Sequence, residues 1–170
     1  MSDPSTYSRR RAFTLPEVLL ASAILAFAVA AFAQALLSGQ AHVYAGVNEA
    51  RAVSILEATM AEVIRLPYAD PEDGAAYNPG PEAGEADRSG FDNLDDYHGW
   101  EQTYGSFTDL AGTPYPASHD GFIRAVSVFP ETAYVRVFGQ DFNGARVVVK
   151  LADLQGQVWT LEQFVPEPQP

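Results

Sequence analysis

The chain has 170 residues and a formal net charge of −12, with 22 acidic residues against 10 basic residues and no cysteine. A surface this acidic repels nucleic acid and anionic lipid, so neither is expected as a direct ligand. The lack of cysteine excludes disulfides, thiol catalysis and zinc–thiolate sites. The length allows one modest domain together with an anchor.

The first 37 residues combine a basic start with a long apolar run. Residues 1–12 are polar and end in three arginines, and residues 13–37 are mostly Ala, Leu, Val, Ile and Phe. About 20 apolar residues span the hydrocarbon core of a bilayer, so residues 13–37 are long enough to cross it. Because basic residues stay cytoplasmic, the sequence predicts a single span with its C-terminal part outside. A secretory signal cut near the alanines at 26–31 is the alternative.

Residues 38–66 continue the helix with an amphipathic pattern. Apolar residues at spacings of three and four predict one buried helical face, formed by Val53, Leu56, Met60 and Val63. The charged residues of this segment lie largely off that stripe. Pro67 is expected to end the helix at residue 66, because the residue before a proline disfavours helical geometry.

The remaining chain changes from irregular to strand-forming. Residues 67–120 are acidic and rich in Pro and Gly, which predicts a long irregular, variable region. In residues 121–165, four segments predict strands: FIRAVSVF, AYVRVFG, ARVVVKL and QVWTLEQFV. Breaks are expected at Pro130-Glu131 and at a hairpin turn containing Asn143-Gly144. Residues 166–170 are predicted to be a disordered tail.

Alternation along these strands predicts which face meets the helix. The apolar face is expected to hold Ile123, Ala125, Val135, Val137, Val147, Val149, Trp159 and Leu161. The opposite face is expected to hold Arg124, Arg136, Arg146, Lys150 and Glu162. The predicted fold is therefore α+β: one long N-terminal helix, membrane-spanning in its first half, with a four-stranded antiparallel meander packed on its outer half.

The stretch RRRAFTLPEVLLASAILA, which begins at Arg9, resembles the class III signal of type IV pilins and type II secretion pseudopilins. A basic leader, a small residue, Phe-Thr-Leu, a spaced Glu and an apolar run occur in that order. The resemblance implies a pilin-like fold, cleavage by a prepilin peptidase between Ala12 and Phe13, and N-methylation of Phe13. Ala12 replaces the commoner Gly. Pro16 replaces a common Ile or Val, but it lies in the first helical turn, where no intrahelical N–H bond is needed.

The same resemblance gives Glu17 a role, because it is the fifth residue counted from Phe13. In an assembled filament the N-terminal amine of one subunit would meet Glu17 of a neighbour, so that each buried charge has a partner. The charge near a helix N-terminus is also favoured by the macrodipole. The alternative is a headgroup-level glutamate, tolerated because it lies close to the interface.

The resemblance implies a structural subunit, a minor pilin or a pseudopilin, of the bacterial inner membrane and then of a type IV pilus or a periplasmic pseudopilus. Its expected partners are other pilin or pseudopilin subunits, the prepilin peptidase and an assembly platform in the inner membrane. The alternative is a single-span, membrane-anchored binding module that does not polymerise. A DNA-uptake receptor is disfavoured by the acidity, although the predicted basic face of the sheet is a local exception.

The segment FDNLDDYHGW places four oxygen-bearing side chains within five residues: Asp92, Asn93, Asp95 and Asp96. Hard oxygen ligands this close can bind calcium, and a calcium ion in a C-terminal loop is a feature of some major pseudopilins. The spacing does not match an EF-hand. A solvated turn without any cofactor is the preferred interpretation, and a calcium site is the alternative.

The segment ASHDG contains Ser118, His119 and Asp120, but adjacent residues cannot align as a nucleophile–base–acid triad. The sequence also contains no phosphate-binding loop and no dinucleotide fingerprint. It therefore predicts that the protein is not an enzyme.

Overall fold

The computed structural model of the chain describes residues 13–71, 74, 77–85 and 87–168. The chain divides into two compact units between Val47 and Asn48. The helix and strands of the described residues are α1 (Leu15–Val63), β1 (Glu101–Gln102), β2 (Phe122–Val135), β3 (Gln140–Asp153) and β4 (Val158–Pro166). The predicted α+β fold class is confirmed: one long N-terminal helix packs, through its last part, on a four-stranded antiparallel sheet.

The first unit consists, in its described part, of the N-terminal end of α1. Every residue from 13 to 47 is exposed. No Asp, Glu, Lys or Arg occurs between Glu17 and Glu49, and alanine and leucine, both strong helix formers, dominate the segment. The helix is long and apolar enough to cross a membrane, and its most apolar stretch is not buried within the protein.

The last part of α1 belongs to the second unit and carries the buried stripe. Its buried residues are Ala52, Ile55, Leu56, Thr59, Met60 and Val63. Val53 was predicted to be in this stripe but is 41% exposed, because the stripe is rotated toward Ala52 and Ile55. The α-helix ends at Val63 rather than at residue 66, and the last α-helical bond runs from Ile64 N–H to Met60 O (3.0 Å). Two tighter bonds follow, from Arg65 N–H to Glu62 O (3.3 Å) and from Leu66 N–H to Val63 O (3.1 Å), which is a common way for a helix to end.

The sheet is a meander with the strand order β1-β2-β3-β4, and all its pairs are antiparallel. The predicted break at Pro130-Glu131 is wrong, because β2 continues through Pro130, which pairs with Ala145 of β3. A proline fits there because β1 covers β2 only at two residues, so that β2 is effectively an edge strand at this point. The fourth strand is therefore the two-residue β1.

The predicted hairpin turn at Asn143-Gly144 is also wrong, since both residues lie inside β3. The turn is formed by residues 136–139, where Gly139 adopts a φ of +65° and donates its N–H to Val135 O at 2.9 Å. Gly144 has a different role. A Cβ at this position would lie 2.3 Å from Val165 O of β4, so only glycine allows this close approach.

The predicted faces are correct for β3 and β4 and wrong for β2. Val147 and Val149 are buried, and Trp159 and Leu161 are partly buried against the core. In β2, however, the buried residues are Phe122, Arg124, Val126 and Val128. Ile123 and Ala125 are half-buried, and Val137 is 89% exposed in the hairpin turn. The core-facing arginine explains the error, because it makes the buried face of this strand look polar in the sequence.

Candidate functional site

The N-terminus of α1 is a helix cap built from Thr14 and Glu17. The carbonyl of Thr14 accepts the first helical bonds, from Glu17 N–H (3.0 Å) and Val18 N–H (3.1 Å). Glu17 Oε2 lies 3.4 Å from the Thr14 N–H, which points back toward it. Thr-x-x-Glu is the capping-box pattern, and Pro16 occupies a first-turn position that needs no intrahelical donor. The cap holds the carboxylate at the positive end of the helix dipole.

The surroundings of this cap are apolar and open. Phe13 is 78% exposed, and Glu17 is exposed as well. Together with Val18, Ala21 and Leu25, they line a shallow surface depression along the helix. Ala12 and the rest of the predicted leader, residues 1–12, lie outside the described residues. The structure therefore places Phe13 and Glu17 one turn apart on an exposed apolar helix end.

The predicted calcium ligands form a buried, hydrogen-bonded turn rather than a solvated one. Asn93, Asp95 and Asp96 are each at most 1% exposed, and residues 95–97 make one 3₁₀ turn. Asn93 Oδ1 accepts the N–H groups of Asp95 (3.0 Å) and Asp96 (3.2 Å). Asp96 Oδ2 accepts those of Asp92 (2.9 Å) and Asn93 (3.0 Å). The expectation of a solvated turn is wrong, because these side chains replace water as partners of the buried backbone.

The four predicted ligands do not all come together in the structure. Asn93 is used by the backbone, and Asp95 accepts the N–H of Asn78 through Oδ2. The carboxylates of Asp92 and Asp96 instead come together with that of Glu85, with one oxygen of each within 4.8 Å of the others. Residues 85 and 87–96 are called the acidic loop below. Glu85 was not among the predicted ligands, and no local pattern in the sequence connects it to residues 92–96.

Burial alters the acid–base behaviour of this loop. The pKa of Asp96 and the pKa of Asp95 are both raised above the usual range, mainly because burial disfavours the charged carboxylate. Backbone N–H donors oppose this effect for both groups. The pKa of Asp92 is raised as well, by desolvation and then by the neighbouring charge of Glu85. A side-chain hydrogen bond with Glu85 also lowers the pKa of Asp96, whereas the neighbouring charge of Asp95 raises it.

A second buried polar cluster, missed by the sequence analysis, surrounds Arg124. This side chain is 1% exposed, and its described hydrogen bonds all go to neutral oxygens. Nη1 donates to Thr59 Oγ1 (2.8 Å), Nη2 to Thr108 O (2.7 Å), and Nε to Gln102 Oε1 (3.0 Å). The guanidinium also lies 4.9 Å from the ring centroid of Trp100. Burial, and after it the charge of Arg88, lowers the pKa of Arg124 to about 10.

An ion pair links the last turn of α1 to the irregular region. Glu62 accepts from Arg88 Nε at 2.7 Å, and both side chains are nearly buried, at 12% and 9% exposure. Glu62 also accepts the Tyr97 hydroxyl proton. Burial and this hydrogen bond raise the pKa of Tyr97 far above its usual range. The cluster therefore connects the helix, the irregular region and the sheet. The sequence does not predict it, because Glu62 and its arginine partner lie far apart along the chain.

The Ser118–His119 pair lies in an exposed 3₁₀ turn, residues 117–119. Ser118 Oγ is 3.2 Å from His119 Nδ1, but the same nitrogen is 3.2 Å from Pro116 O. A base that shares its nitrogen with a backbone carbonyl, in a turn without a buried residue, is poorly placed to activate a nucleophile.

Comparison with known proteins adds to this geometry. No curated protein and no solved structure gave a significant match to the chain. Residues 7–33 match the family model described as the prokaryotic N-terminal methylation motif. The matched segment contains Phe13, Glu17 and the exposed apolar start of α1. It points to a structural subunit and to a single-pass, membrane-anchored protein. The chain thus carries, over residues 7–33, the signature of a type IV pilin-like or pseudopilin precursor.

Proposed function

We propose that this chain is a filament subunit, a minor pilin or pseudopilin, made as a membrane-anchored precursor. A prepilin peptidase would cut between Ala12 and Phe13 and leave an N-methylated amine on Phe13. The observation that carries the proposal is the position of Glu17: an exposed carboxylate in the first turn of an otherwise apolar helix, inside the matched motif. An acidic group there is costly in a membrane or bundle unless a partner charge exists.

The mature amine is that partner. Cleavage places a positive charge at Phe13, four residues before Glu17, and an incoming subunit can bring its own amine to the Glu17 of its neighbour. Breaking a buried ion pair by removing one member costs about 3–5 kcal/mol. The pair would therefore fix the register between neighbouring helices, while the exposed apolar residues of 13–47 form the lipid-facing anchor first and the filament core afterwards.

The localisation follows from charge. Three arginines precede the apolar run, so the leader stays cytoplasmic and the second unit is placed outside the inner membrane. Assembly requires other pilin or pseudopilin subunits and a platform in that membrane. The acidic, cysteine-free second unit favours a minor pilin or pseudopilin over a disulfide-containing major pilin.

The test uses two variants of Glu17 expressed in the native host. Glu17→Gln can keep the capping bond to Thr14 but loses the charge, whereas Glu17→Ala loses both. We expect both variants to be cut at Phe13 and to stay in the membrane, and their incorporation into filaments to fall about 100-fold or more. Immunoblots of membrane and filament fractions, together with the mass of the N-terminal peptide, measure these outcomes.

Ser22→Ala is the control, because it removes an exposed hydroxyl that donates to Val18 O in the preceding turn of the same helix. It should assemble like the wild type. Normal incorporation of Glu17→Gln, with loss for Glu17→Ala, would assign Glu17 to capping alone. Normal incorporation of both, or a mature chain that still contains residues 1–12, would favour the non-polymerising membrane anchor.

A further inference from the structure

We propose that a cavity in the irregular region binds a small zwitterion of the amino-acid type, a free amino acid or a dipeptide. Its carboxylate would lie at Arg88 and its ammonium group at Asp87 and Asp109. The cavity, called the Arg88 cavity below, has a volume of about 650 Å³, within the range of about 300–1,000 Å³ that is usual for ligand pockets. It lies wholly in the second unit, so this proposal does not depend on filament assembly.

The lining of the Arg88 cavity combines apolar and polar side chains. Phe91, Trp100 and Leu110 supply an apolar wall, and Leu110 is 53% exposed. Gln102 and Thr108 also line the cavity, and the Gln102 Nε2 donates to Thr108 Oγ1 at 3.0 Å, which holds both side chains in place. An apolar wall with a small number of positioned polar groups is typical of a small-molecule site.

The guanidinium of Arg88 has an unused donor. The residue is 9% exposed, and its Nε pairs with Glu62 while its Nη1 donates to Thr108 O (3.1 Å). Its Nη2 is buried, and no acceptor in the part of the chain that the structure describes bonds to it. A buried donor without an acceptor is costly. Because Arg88 lines the cavity, a carboxylate bound there would supply the acceptor.

The charge behind the cavity wall also favours an anionic group in the cavity. The guanidinium carbons of Arg88 and Arg124 lie 5.2 and 4.9 Å from the ring centroid of Trp100. Among the described residues, Glu62 is the only carboxylate that forms an ion pair with either arginine. Two buried cations therefore share one anion, and a buried charge without a partner is costly. A ligand carboxylate would balance the second cation.

Two carboxylates in the same lining disfavour a simple anion and favour a zwitterion. Asp87 directly precedes Arg88, and Asp109 directly follows Thr108, which accepts from Arg88. Hydrogen bonds from Ser89 lower the pKa of Asp87, so that this group is ionised at neutral pH. Carboxylates repel an anion but attract an ammonium group. Because neighbouring Cα atoms are about 3.8 Å apart, the acids and the guanidinium are close enough for one small ligand to contact both.

The experiment is a calorimetric titration of the full-length chain in detergent micelles with phenylalanine and with alanyl-phenylalanine. These two probes distinguish a free amino acid from a dipeptide, and their ring can pack on the apolar wall. We expect at least one of them to bind at a single site with a Kd of about 0.1–1 mM. Acetylation of the amine or amidation of the carboxylate should each weaken binding about tenfold or more, because each removes a charged hydrogen-bonding group.

The double variant of Asp87→Asn and Asp109→Asn tests the ammonium site. The amide oxygens can still accept the backbone N–H groups of the loop, so the variant should fold. It should bind about tenfold more weakly, and acetylation of the ligand should then cause little further loss. The matched control combines Asp141→Asn with Glu57→Gln. It makes the same charge change at exposed positions outside the cavity lining and should bind like the wild type.

Ala111→Phe tests the location of the site. Ala111 is an exposed residue of the cavity lining, so a phenyl ring there should occupy the cavity without unfolding the chain, and binding should weaken about tenfold or more. Absence of binding of both probes to the wild type up to about 10 mM would overturn the proposal. Wild-type affinity in Ala111→Phe, or equal affinity for the blocked and the free ligand, would overturn it as well.

Discussion

The two parts of α1 differ in what covers their apolar side chains. From Leu15 to Val47 the helix is exposed throughout, and as far as Leu37 it is largely apolar on all sides. From Asn48 to Val63 it is amphipathic, and one stripe is buried against the sheet. A helix that is apolar all round must be covered by lipid or by other helices, whereas an amphipathic one is covered by its own domain. One continuous helix thus combines an apolar surface that its own chain leaves exposed with one that the sheet covers.

The largest effect should come from a substitution in the buried stripe of α1, compared with the same substitution in its exposed part. Ile55→Ala removes a side chain that is 1% exposed and should lower the free energy of unfolding of the second unit by about 2–5 kcal/mol. Leu25→Ala, at a position that is 66% exposed, should change it by less than about 0.5 kcal/mol. Urea unfolding of the full-length chain in micelles measures both. The fluorescence reports on the second unit, because both tryptophans, Trp100 and Trp159, belong to it.

Equal losses from the two substitutions would show that the two parts of the helix unfold together and that the first part also contributes to the stability of the second unit. Under the proposed function, Leu25→Ala should weaken incorporation into filaments, because Leu25 lies on the exposed apolar part of α1.

A somewhat smaller loss is expected for Glu62→Gln. The amide keeps the shape of the side chain but removes the charge that pairs with the guanidinium of Arg88. It also removes the negative charge that acts on the nearby Arg124. Removing one member of a nearly buried pair should cost about 3 kcal/mol, measured by the same urea titration. Glu57→Gln, at an exposed position of α1, is the control and should be close to neutral. A neutral Glu62→Gln would show that the ion pair does not hold the helix to the irregular region.

The smallest effect tests where the buried stripe lies. Val63 is fully buried, and Val53 is 41% exposed, although both were predicted to face the core. Val63→Ala should cost about 2 kcal/mol, and Val53→Ala less than about 0.5 kcal/mol, by denaturant unfolding. A larger loss for Val53→Ala than for Val63→Ala would show that the buried stripe is the one predicted from the sequence.

The sequence predicts those features that depend on neighbours along the chain. The apolar run, the spacing from Phe13 to Glu17 and the stop at Pro67 are all local, and they define the motif, the helix and its approximate end. The high Val and aromatic content after residue 121 likewise indicates strands. The local sequence was sufficient to predict these features, because helix formation, capping and strand preference depend largely on residues that are close together in the chain.

Other features were decided by the tertiary structure, because they depend on partners far away in the chain. Alternation divides β2 into two faces, but only the acceptors on Thr59, Gln102 and Thr108 make the face with Arg124 the buried one. In the same way, chain folding brings Glu85 to Asp92 and Asp96 and gives Glu62 its arginine. A buried charge is stable only where its partners are supplied, and no local pattern in the sequence specifies which distant residues supply them.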